Sequence, residues 1–368
     1  MQGIYWLGYF FLDMYLPFGL RSAPYIFTSL MDLFVWICSH HYALINLRHF
    51  VDDFIYAALP SDIHQSFTRF QNLATAYGIP LKATKLIPPT PEIEYVGFLV
   101  NAPNMSIHLT NDKRDRLRAL LLDWLHVDYN ATSRPRTRSY HDVQSLLGYL
   151  MHVVQILPDG KIFCDRLIRL LTSWRPPSAG RRHLKPGIVS DLRWWLDTIH
   201  TWDGTHLLSL PDWRDLGLFT DASGHIGAGG LLGDRWWCLR WSVAYRDINV
   251  NGVDIFWKEM FAIWVSLVIW GPSLRGLRII LHSDSQPCVA SLANGRAPHH
   301  PRVNELIRLI VLQRRKLNFE LHVRYIPSAS NPADSLSRLS SLPSRSLQEP
   351  IPSSITSLFG YVIDTTTY

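Results

Sequence analysis

From about Leu216 onward, apolar and polar positions alternate between a strand-like and a helix-like period. Three apolar runs separated by turn residues, LGLFTDAS, the Gly-rich GHIGAGGLLG and DRWWCLRWS, predict three successive strands. The continuation predicts a helix from Phe256 to Trp270, a buried strand over 277–284, a helix from about Gln286, a helix from Arg302 to Lys316, a strand over NFELHVRYIP and a last helix from Asn331 to Leu339. This order, β-β-β-α-β-α-α-β-α, indicates a mixed sheet with helices on its faces.

The first 110 residues have a different pattern. Residues 4–16 are strand-like, and Ser22 is placed to cap a helix that begins near Ala23 and runs to about Ile37. Two β-rich runs, 43–50 and 54–59, are separated by Val51-Asp52-Asp53, which predicts a hairpin with an acidic tip. A helix over 62–77 and a strand over 94–101 follow.

The middle of the chain predicts helices at 111–127, 139–155 and 188–200, with basic, proline-containing loops between them. The residues after Ser340 are rich in Ser, Pro and Thr, which predicts a disordered tail. We therefore expect an α/β and α+β multidomain chain divided at 1–110, 111–215, 216–338 and 339–368.

Composition narrows the class of protein. Hydrophobic residues make up 47% and charged residues 18% of the 368 positions, as in a globular protein, and the formal net charge of +6 suits a polyanionic partner. Four scattered cysteines indicate reduced thiols, with neither a disulfide framework nor a zinc site. The N-terminus lacks the basic region of a secretory signal, and the longest apolar run, 261–271, is too short to span a bilayer. We expect an intracellular protein, cytoplasmic or nuclear, without a membrane partner; its oligomeric state stays open.

Four acidic residues stand out by their positions, and three of them follow or flank apolar stretches where an unpaired carboxylate would be costly to bury. Asp221 ends the first predicted strand, Glu259 lies in the long apolar helix, Asp284 ends a buried strand and Asp334 opens the final helix. If these carboxylates converge, their repulsion has to be offset by cations, and hard oxygen ligands select Mg²⁺ or Mn²⁺. Two such ions per site can activate a water and stabilise the leaving oxygen of a phosphodiester. The alternative is that each acid is an ordinary cap or strand-end residue.

The same residues carry a family resemblance. TDAS at 220–223, the Glu259 helix, SDS at 283–285 and NPADSLSR at 331–338 resemble the RNase H domain of retroelement polyproteins. The resemblance implies that Asp221, Glu259, Asp284 and Asp334 are the catalytic, metal-binding set. Tyr325 stands where that family often has a histidine thought to help product release, so turnover is the property most affected.

The first half carries a second resemblance. LPFGLRSAP, FVDDF and YVGF, in that order, resemble three blocks of a reverse transcriptase palm, with Phe50 in place of the usual tyrosine. This implies that Asp52 and Asp53 are catalytic metal ligands and that Phe18, Gly19 and Arg21 bind nucleotide and template. The stretch 146–171 is similar to the thumb or connection of LTR-type and tyrosine-recombinase (DIRS-like) retrotransposons. The first catalytic aspartate of that family is not found before LPFG, so the palm is expected to be N-terminally truncated.

The expected function is a retroelement reverse transcriptase/RNase H fragment that hydrolyses the RNA strand of RNA/DNA hybrids. Its partners would be the hybrid and primer-template nucleic acid, with dNTP only if the palm is completed. One alternative is a full RNA-directed DNA polymerase whose missing part lies upstream. Another is a non-catalytic relic that binds nucleic acid. Nine basic residues could contact phosphates and five tryptophans could stack on bases, or the tryptophans could simply pack in the core. The tryptophans are Trp194, Trp195, Trp236, Trp237 and Trp241, and the basic residues are Arg134, Arg136, Arg138, Arg181, Arg182, Lys185, Arg314, Arg315 and Lys316.

Overall fold

Strands and helices are defined in a computed structural model that describes residues 3–12, 19–125, 137–175, 180–206, 212–246, 252–340 and 347–364. The strands are β1 Gly3–Trp6, β2 Tyr9–Leu12, β3 Arg48–Phe50, β4 Asp53–Ile55, β5 Glu92–Tyr95, β6 Phe98–Asn101, β7 Ser106–Leu109, β8 Thr137–Arg138, β9 Arg182–His183, β10 Thr205–His206, β11 Arg214–Ala222, β12 Gly227–Leu232, β13 Arg235–Arg240, β14 Arg278–Ser283, β15 Glu320–Tyr325 and β16 Leu347–Gln348. The helices are α1 Ala23–Tyr42, α2 Ile63–Ala76, α3 Asn111–Leu125, α4 Tyr140–Val153, α5 Asp165–Thr172, α6 Pro186–Thr201, α7 Ile255–Trp270, α8 Gln286–Asn294, α9 Pro301–Leu317, α10 Asp334–Ser337 and α11 Ser353–Phe359.

These elements form two units. The first comprises Met1–Asn111 with Gly204–His206, and the second comprises Asp112–Asp203 with Leu207–Tyr368. The helices of the middle region and the sheet that begins at β11 therefore belong to one compact unit. The mixed α/β, multidomain class predicted from the sequence is confirmed.

The first unit is built around α1. Its buried residues, Phe34 and Cys38, pack with Phe70 and Leu73 of α2. The helix extends to Tyr42, beyond the predicted end, and Ser22 occupies the N-cap without a side-chain capping bond. The predicted strand run 43–50 is mostly wrong, since only 48–50 is strand. The earlier part of that run is a connection that places Leu44 and Leu47 in the core.

A four-stranded antiparallel sheet, ordered β10-β7-β6-β5, completes the first unit. The single strand predicted over 94–101 is wrong: β5 and β6 form a hairpin that turns at Val96 and Gly97, with φ of 48° and 79°. Positive φ at both central residues gives a turn whose twist matches that of paired strands, which explains why the chain reverses here.

The second unit contains a six-stranded mixed sheet ordered β15-β14-β11-β12-β13-β16. β11, β12 and β13 are successive antiparallel neighbours, while β14 pairs parallel to both β11 and β15. Because β11 and β14 are parallel neighbours, their carboxyl ends lie at the same edge of the sheet.

Helix α7 is the central helix of the second unit and packs on β11 and β12. It is buried over most of its length, including Met260, Phe261 and Val265. The segment Ile255–Leu274 is long and apolar enough to cross a membrane by length and composition, but most of it is enclosed by the protein. Its apolar character is accounted for by its place in the core, although the segment is longer than the apolar run 261–271 on which the sequence argument rested.

The prediction of a disordered tail is wrong for residues 347–364. β16 pairs parallel to β13, and the Phe359 ring at the end of α11 lies 5.3 Å from the Phe261 ring and 5.2 Å from that of Trp264. Ile355, Val362 and Ile363 are buried. The average composition of the tail conceals these few apolar residues, whose burial on the aromatic face of α7 offsets the entropy of ordering the segment.

Candidate metal centre

Two carboxylates are placed by the paired strands β11 and β14. Asp221 is the penultimate residue of β11 and pairs with Gly229 of β12. Asp284 directly follows the last residue of β14. A Cβ at Gly229 would lie 2.4 Å from the Cβ of Leu336 in α10, so glycine is needed for this helix to pack on the strand beside Asp221.

The third carboxylate, Glu259, comes from the first turns of α7. The Asp254 side chain caps this helix by accepting a 2.8 Å hydrogen bond from the backbone N–H of Trp257. The neighbouring Lys258 does not neutralise Glu259, because its ammonium donates to the backbone carbonyls of Gly224 and Tyr245. Lys258 thereby links two loops near the site, and within the described ranges Glu259 has no basic partner.

Asp221, Glu259 and Asp284 converge. One oxygen from each lies within 4.8 Å of the others, as the ligands of a shared cation would. Among the described residues, none of the three forms an ion pair with a basic side chain, and Glu259 Oε2 is buried without a hydrogen-bond partner. A buried, unpaired carboxylate oxygen within a group of three acids fits a divalent cation.

The electrostatics agree with this geometry. Burial raises the pKa of Asp221 to about 6; Ser337 opposes the rise through a hydrogen bond, and the charges of Asp284 and Asp334 add to it. Burial also raises the pKa of Glu259 well above its ordinary value, and Asp221 and Asp284 reinforce that rise. Both groups are therefore poorly stabilised as anions by the protein alone.

Asp334, the fourth predicted ligand, lies at the edge of this group. It is the first residue of α10, and both of its carboxylate oxygens accept from Arg338 Nε, at 2.8 and 3.0 Å. Its side chain is 38% exposed, and its charge contributes to the raised pKa of Asp221. Asp334 is thus near the three converged acids but has a cationic partner that they lack.

One residue that the sequence analysis did not single out joins the group. Asn331 lies between Asp221 and Asp284 and donates from Nδ2 to Oδ1 of each, at 3.4 Å in both cases. It also donates to the backbone carbonyl of Thr220, at 3.0 Å. The only sequence signal was its position at the start of NPADSLSR.

The other predicted site residues lie in the first unit. Asp52 is in the turn of the β3–β4 hairpin and Asp53 begins β4; both are exposed. Tyr95 Oη donates to the backbone carbonyl of Asp53 at 3.2 Å, which links the YVGF segment to the acidic hairpin. In the part of the chain that the structure describes, no third acid, histidine or cysteine joins this pair as a metal-binding group.

The residues predicted to bind nucleotide and template are described only in part. Gly19 is exposed, with φ of 88°, in the turn before α1, and Arg21 is exposed two residues further on. Phe18 lies outside the described residues. The structure thus places Gly19 and Arg21 at the surface of the first unit.

Most of the basic and aromatic residues considered for nucleic-acid binding have structural partners, and Lys185 and Lys316 are exposed. Trp195, Trp237 and Trp241 are fully buried and Trp236 is nearly so, which makes them core residues. Trp194 stacks on Phe163 at 3.7 Å. Arg138 pairs with Asp123, Arg181 with Asp142, and Arg314 and Arg315 with Asp159, while Arg182 lies over the Trp174 ring. Arg134 and Arg136 lie outside the described residues.

No family model and no curated protein matches the chain. Among solved structures, it is similar to a foamy viral protease-reverse transcriptase in complex with RNA/DNA hybrid, with 13% identity and a TM-score of 0.45 over 95% of this chain and 43% of that chain. Two further foamy viral structures, in complex with double-stranded DNA, give 14% and 13% identity and TM-scores of 0.44 and 0.42, over 88% and 89% of this chain and 52% and 63% of those chains. This chain spans less than two thirds of each. All three TM-scores are low, so function has to be argued from the side chains themselves.

Proposed function

We propose that this protein hydrolyses the RNA strand of RNA/DNA hybrids in a reaction that depends on Mg²⁺ or Mn²⁺. The observation that carries the proposal is the convergence of Asp221, Glu259 and Asp284, from two strand ends and a buried helix, with one oxygen of each within 4.8 Å of the others. Asp221 and Glu259 are buried and Asp284 is partly buried, and no basic side chain among the described residues pairs with any of the three. Such a group is unfavourable in its ionised form unless the site binds cations.

Each acid has a defined part in this proposal. Asp221 and Asp284, fixed at the ends of parallel strands, would hold a cation from one edge of the sheet, and Glu259 would hold it from α7. Divalent ions in such a site lower the pKa of a bound water and stabilise charge on the leaving oxygen. The water oxygen bonds to phosphorus as the bond to the leaving sugar oxygen breaks. Asp334, held by Arg338, would complete the acidic set at its exposed side.

The RNA/DNA hybrid is proposed from the sequence resemblance. TDAS, SDS and NPADSLSR supply Asp221, Asp284 and Asp334, and the resembled family hydrolyses RNA in hybrids. The net charge of +6 is compatible with a polyanionic substrate.

The test is cleavage of a labelled RNA/DNA hybrid by the full chain with increasing Mg²⁺, and with EDTA as the metal-free control. Duplex DNA and single-stranded RNA of the same sequence serve as substrate controls. We expect cleavage of the RNA strand only in the hybrid and only with metal. Binding of the hybrid without cleavage at any metal concentration would instead support a non-catalytic nucleic-acid-binding protein.

A second candidate function is RNA-directed DNA synthesis through Asp52 and Asp53. It is favoured by the hydrogen bond from Tyr95 to the backbone of Asp53, which joins two of the three palm-like sequence blocks. Phosphoryl transfer needs carboxylates from separate strands around its metals, and the described part of the first unit supplies only this exposed pair. We therefore propose polymerase activity, and dNTP as a substrate, only for a chain with a completed palm.

A further inference from the structure

Asn331 is a neutral residue that contacts two members of the acidic group. Its side chain is buried, with the residue 5% exposed, in the segment that leads into α10. The Nδ2 atom has three acceptors, namely the Thr220 carbonyl at 3.0 Å and Oδ1 of both Asp221 and Asp284 at 3.4 Å. One amide group therefore connects the ends of both strands.

The orientation of this amide is fixed by its other end. Asn331 Oδ1 accepts a 3.2 Å hydrogen bond from the backbone N–H of Ala333, and the backbone N–H of Asn331 donates to the Ser328 carbonyl at 3.0 Å. A flipped amide would place two donors together at Ala333 and two acceptors together at the carboxylates. The surrounding bonds thus allow only the arrangement in which Nδ2 points at the acids.

We infer that Asn331 is a positioning residue that holds the Asp221 and Asp284 carboxylates at the separation needed to bind a cation. The inference rests on the proposed function, since it concerns the same acidic group. An amide suits this position because it donates to two anions without adding charge. A lysine or arginine would compete with the cation, and a further acid would add repulsion.

The competing explanation is that Asn331 only stabilises the fold. Asn304 provides a matched control in the same unit, because it is equally well buried, at 1% exposure. Its side-chain amide forms two hydrogen bonds with the backbone of Ala297, at 2.8 and 2.9 Å, so it supports a turn of the chain and not a carboxylate. Replacing Asn304 with alanine should affect stability without affecting the acidic group.

The experiment measures Mn²⁺ binding to the full chain by the loss of the free-ion electron paramagnetic resonance signal. We expect Asn331→Ala to weaken Mn²⁺ binding about tenfold, the lower end of the effect of removing a group that orients metal ligands. Asn304→Ala should bind Mn²⁺ as the wild type does. The Mg²⁺ concentration for half-maximal hybrid cleavage should rise in Asn331→Ala, and high Mg²⁺ should restore part of the rate.

The outcomes separate the inference from the proposed function. Wild-type Mn²⁺ affinity in folded Asn331→Ala, or in Asn331→Ser, which keeps a polar side chain but removes the amide, would overturn the positioning role. Equal weakening in Asn304→Ala would overturn it as well, by showing a general effect of destabilisation. If the wild type binds Mn²⁺ but cleaves no hybrid, the hydrolytic proposal fails and the positioning role stands. If it binds no Mn²⁺, both fail.

Discussion

Two groups of buried acidic residues lie in the second unit, and they differ in the charges that surround them. Asp165 and Asp191 are 1% and 2% exposed, and each accepts from several arginines. Asp221 and Glu259 are almost as deeply buried, at 4% and 7% exposure, and among the described residues neither is paired with a basic side chain. The two groups are buried to a similar degree, but only the first is paired with arginines.

The first group is a network of ion pairs between the middle helices and α9. Arg308 donates to Asp191 at 3.1 Å and also lies 3.7 Å from Asp165. Arg166 donates to Asp191 at 2.8 Å, and Arg296 donates to Asp165 at 2.9 Å. Burial raises the pKa of Asp191 to about 6, but Arg308 and Arg166 oppose the rise.

In the second group, no basic side chain among the described residues forms an ion pair with Asp221 or Glu259. The rise in the pKa of Asp221 is opposed only through a hydrogen bond with Ser337 and by the charge of Arg338. The neighbours of Asp221 include Asp284 and Asp334, whose charges add to the rise in its pKa, and Glu259 is affected in the same way. A buried acid held by arginines can stay ionised in the fold, whereas buried acids that repel one another are stabilised in their ionised form by an external cation. The comparison therefore separates a structural group from a candidate catalytic one within a single unit.

The largest expected effect is the loss of hybrid cleavage when Asp221 or Glu259 is replaced. Asp221→Asn or Glu259→Gln should each lower the rate about 1000-fold or more, because losing a charged metal ligand removes several kcal/mol of transition-state stabilisation. Initial rates at saturating Mg²⁺ measure this. Asp234→Asn, an exposed acid after β12, is the matched control and should retain the wild-type rate. Wild-type activity in either site variant would contradict the proposed function.

The next largest effect is expected on the free energy of unfolding when Asp191, which is paired with arginines, is replaced. Asp191→Asn should lower the free energy of unfolding by about 3 kcal/mol, because it leaves the buried Arg308 and the partly buried Arg166 with fewer partners. Denaturant unfolding followed by tryptophan fluorescence measures the change. The variant should still cleave hybrid at temperatures where it is folded. Loss of cleavage by the folded variant would show that the network also serves the catalytic site.

The same kind of substitution should have the opposite effect on stability at Asp221. Among the described residues no arginine is paired with Asp221, so none loses a partner on substitution as Arg308 and Arg166 do at Asp191. The pKa of Asp221 is raised from 3.8 to about 6 in the folded protein, so its ionisation increasingly opposes folding as the pH rises between these two values. In EDTA at about pH 7.5, Asp221→Asn should therefore raise the free energy of unfolding by about 3 kcal/mol, on the order of 1.36 kcal/mol for each pKa unit. Below about pH 3, where the wild-type carboxyl is protonated in both states, the difference should vanish.

In saturating Mg²⁺, by contrast, the wild type should be more stable than Asp221→Asn. A cation that binds the folded wild type stabilises it by mass action, and Asp221→Asn should lose most of that gain. Unfolding curves of both proteins, measured with and without Mg²⁺ at the same pH, provide the comparison. If Asp221→Asn were less stable than the wild type in EDTA, burial of the Asp221 carboxylate would not be what destabilises the metal-free protein.

The sequence predicted the strand ends and the helix that carry the three acids, because each belongs to a clear periodic run that ends in turn residues. It could not predict the ion-pair network, since Arg308 and Asp191 are 117 residues apart and nothing local marks them as partners. The contact of Asn331 with two strand ends depends in the same way on long-range packing. The tail was predicted wrongly because average composition does not register the burial of a few apolar residues such as Ile355.

The smallest effect is expected for Asp52 and Asp53, the exposed acidic pair in the first unit. Asp52→Asn should change hybrid cleavage by less than about twofold, because Asp52 is exposed and does not belong to the group of Asp221, Glu259 and Asp284. The same protein, assayed for dNTP incorporation on poly(rA)/oligo(dT), should give no Asp52-dependent extension. The reason is that the described part of its unit offers no further carboxylate to hold metals with Asp52 and Asp53. Robust extension lost in Asp52→Asn would show that this pair does bind metals during synthesis, and that exposure and lack of a third ligand do not exclude a catalytic site here.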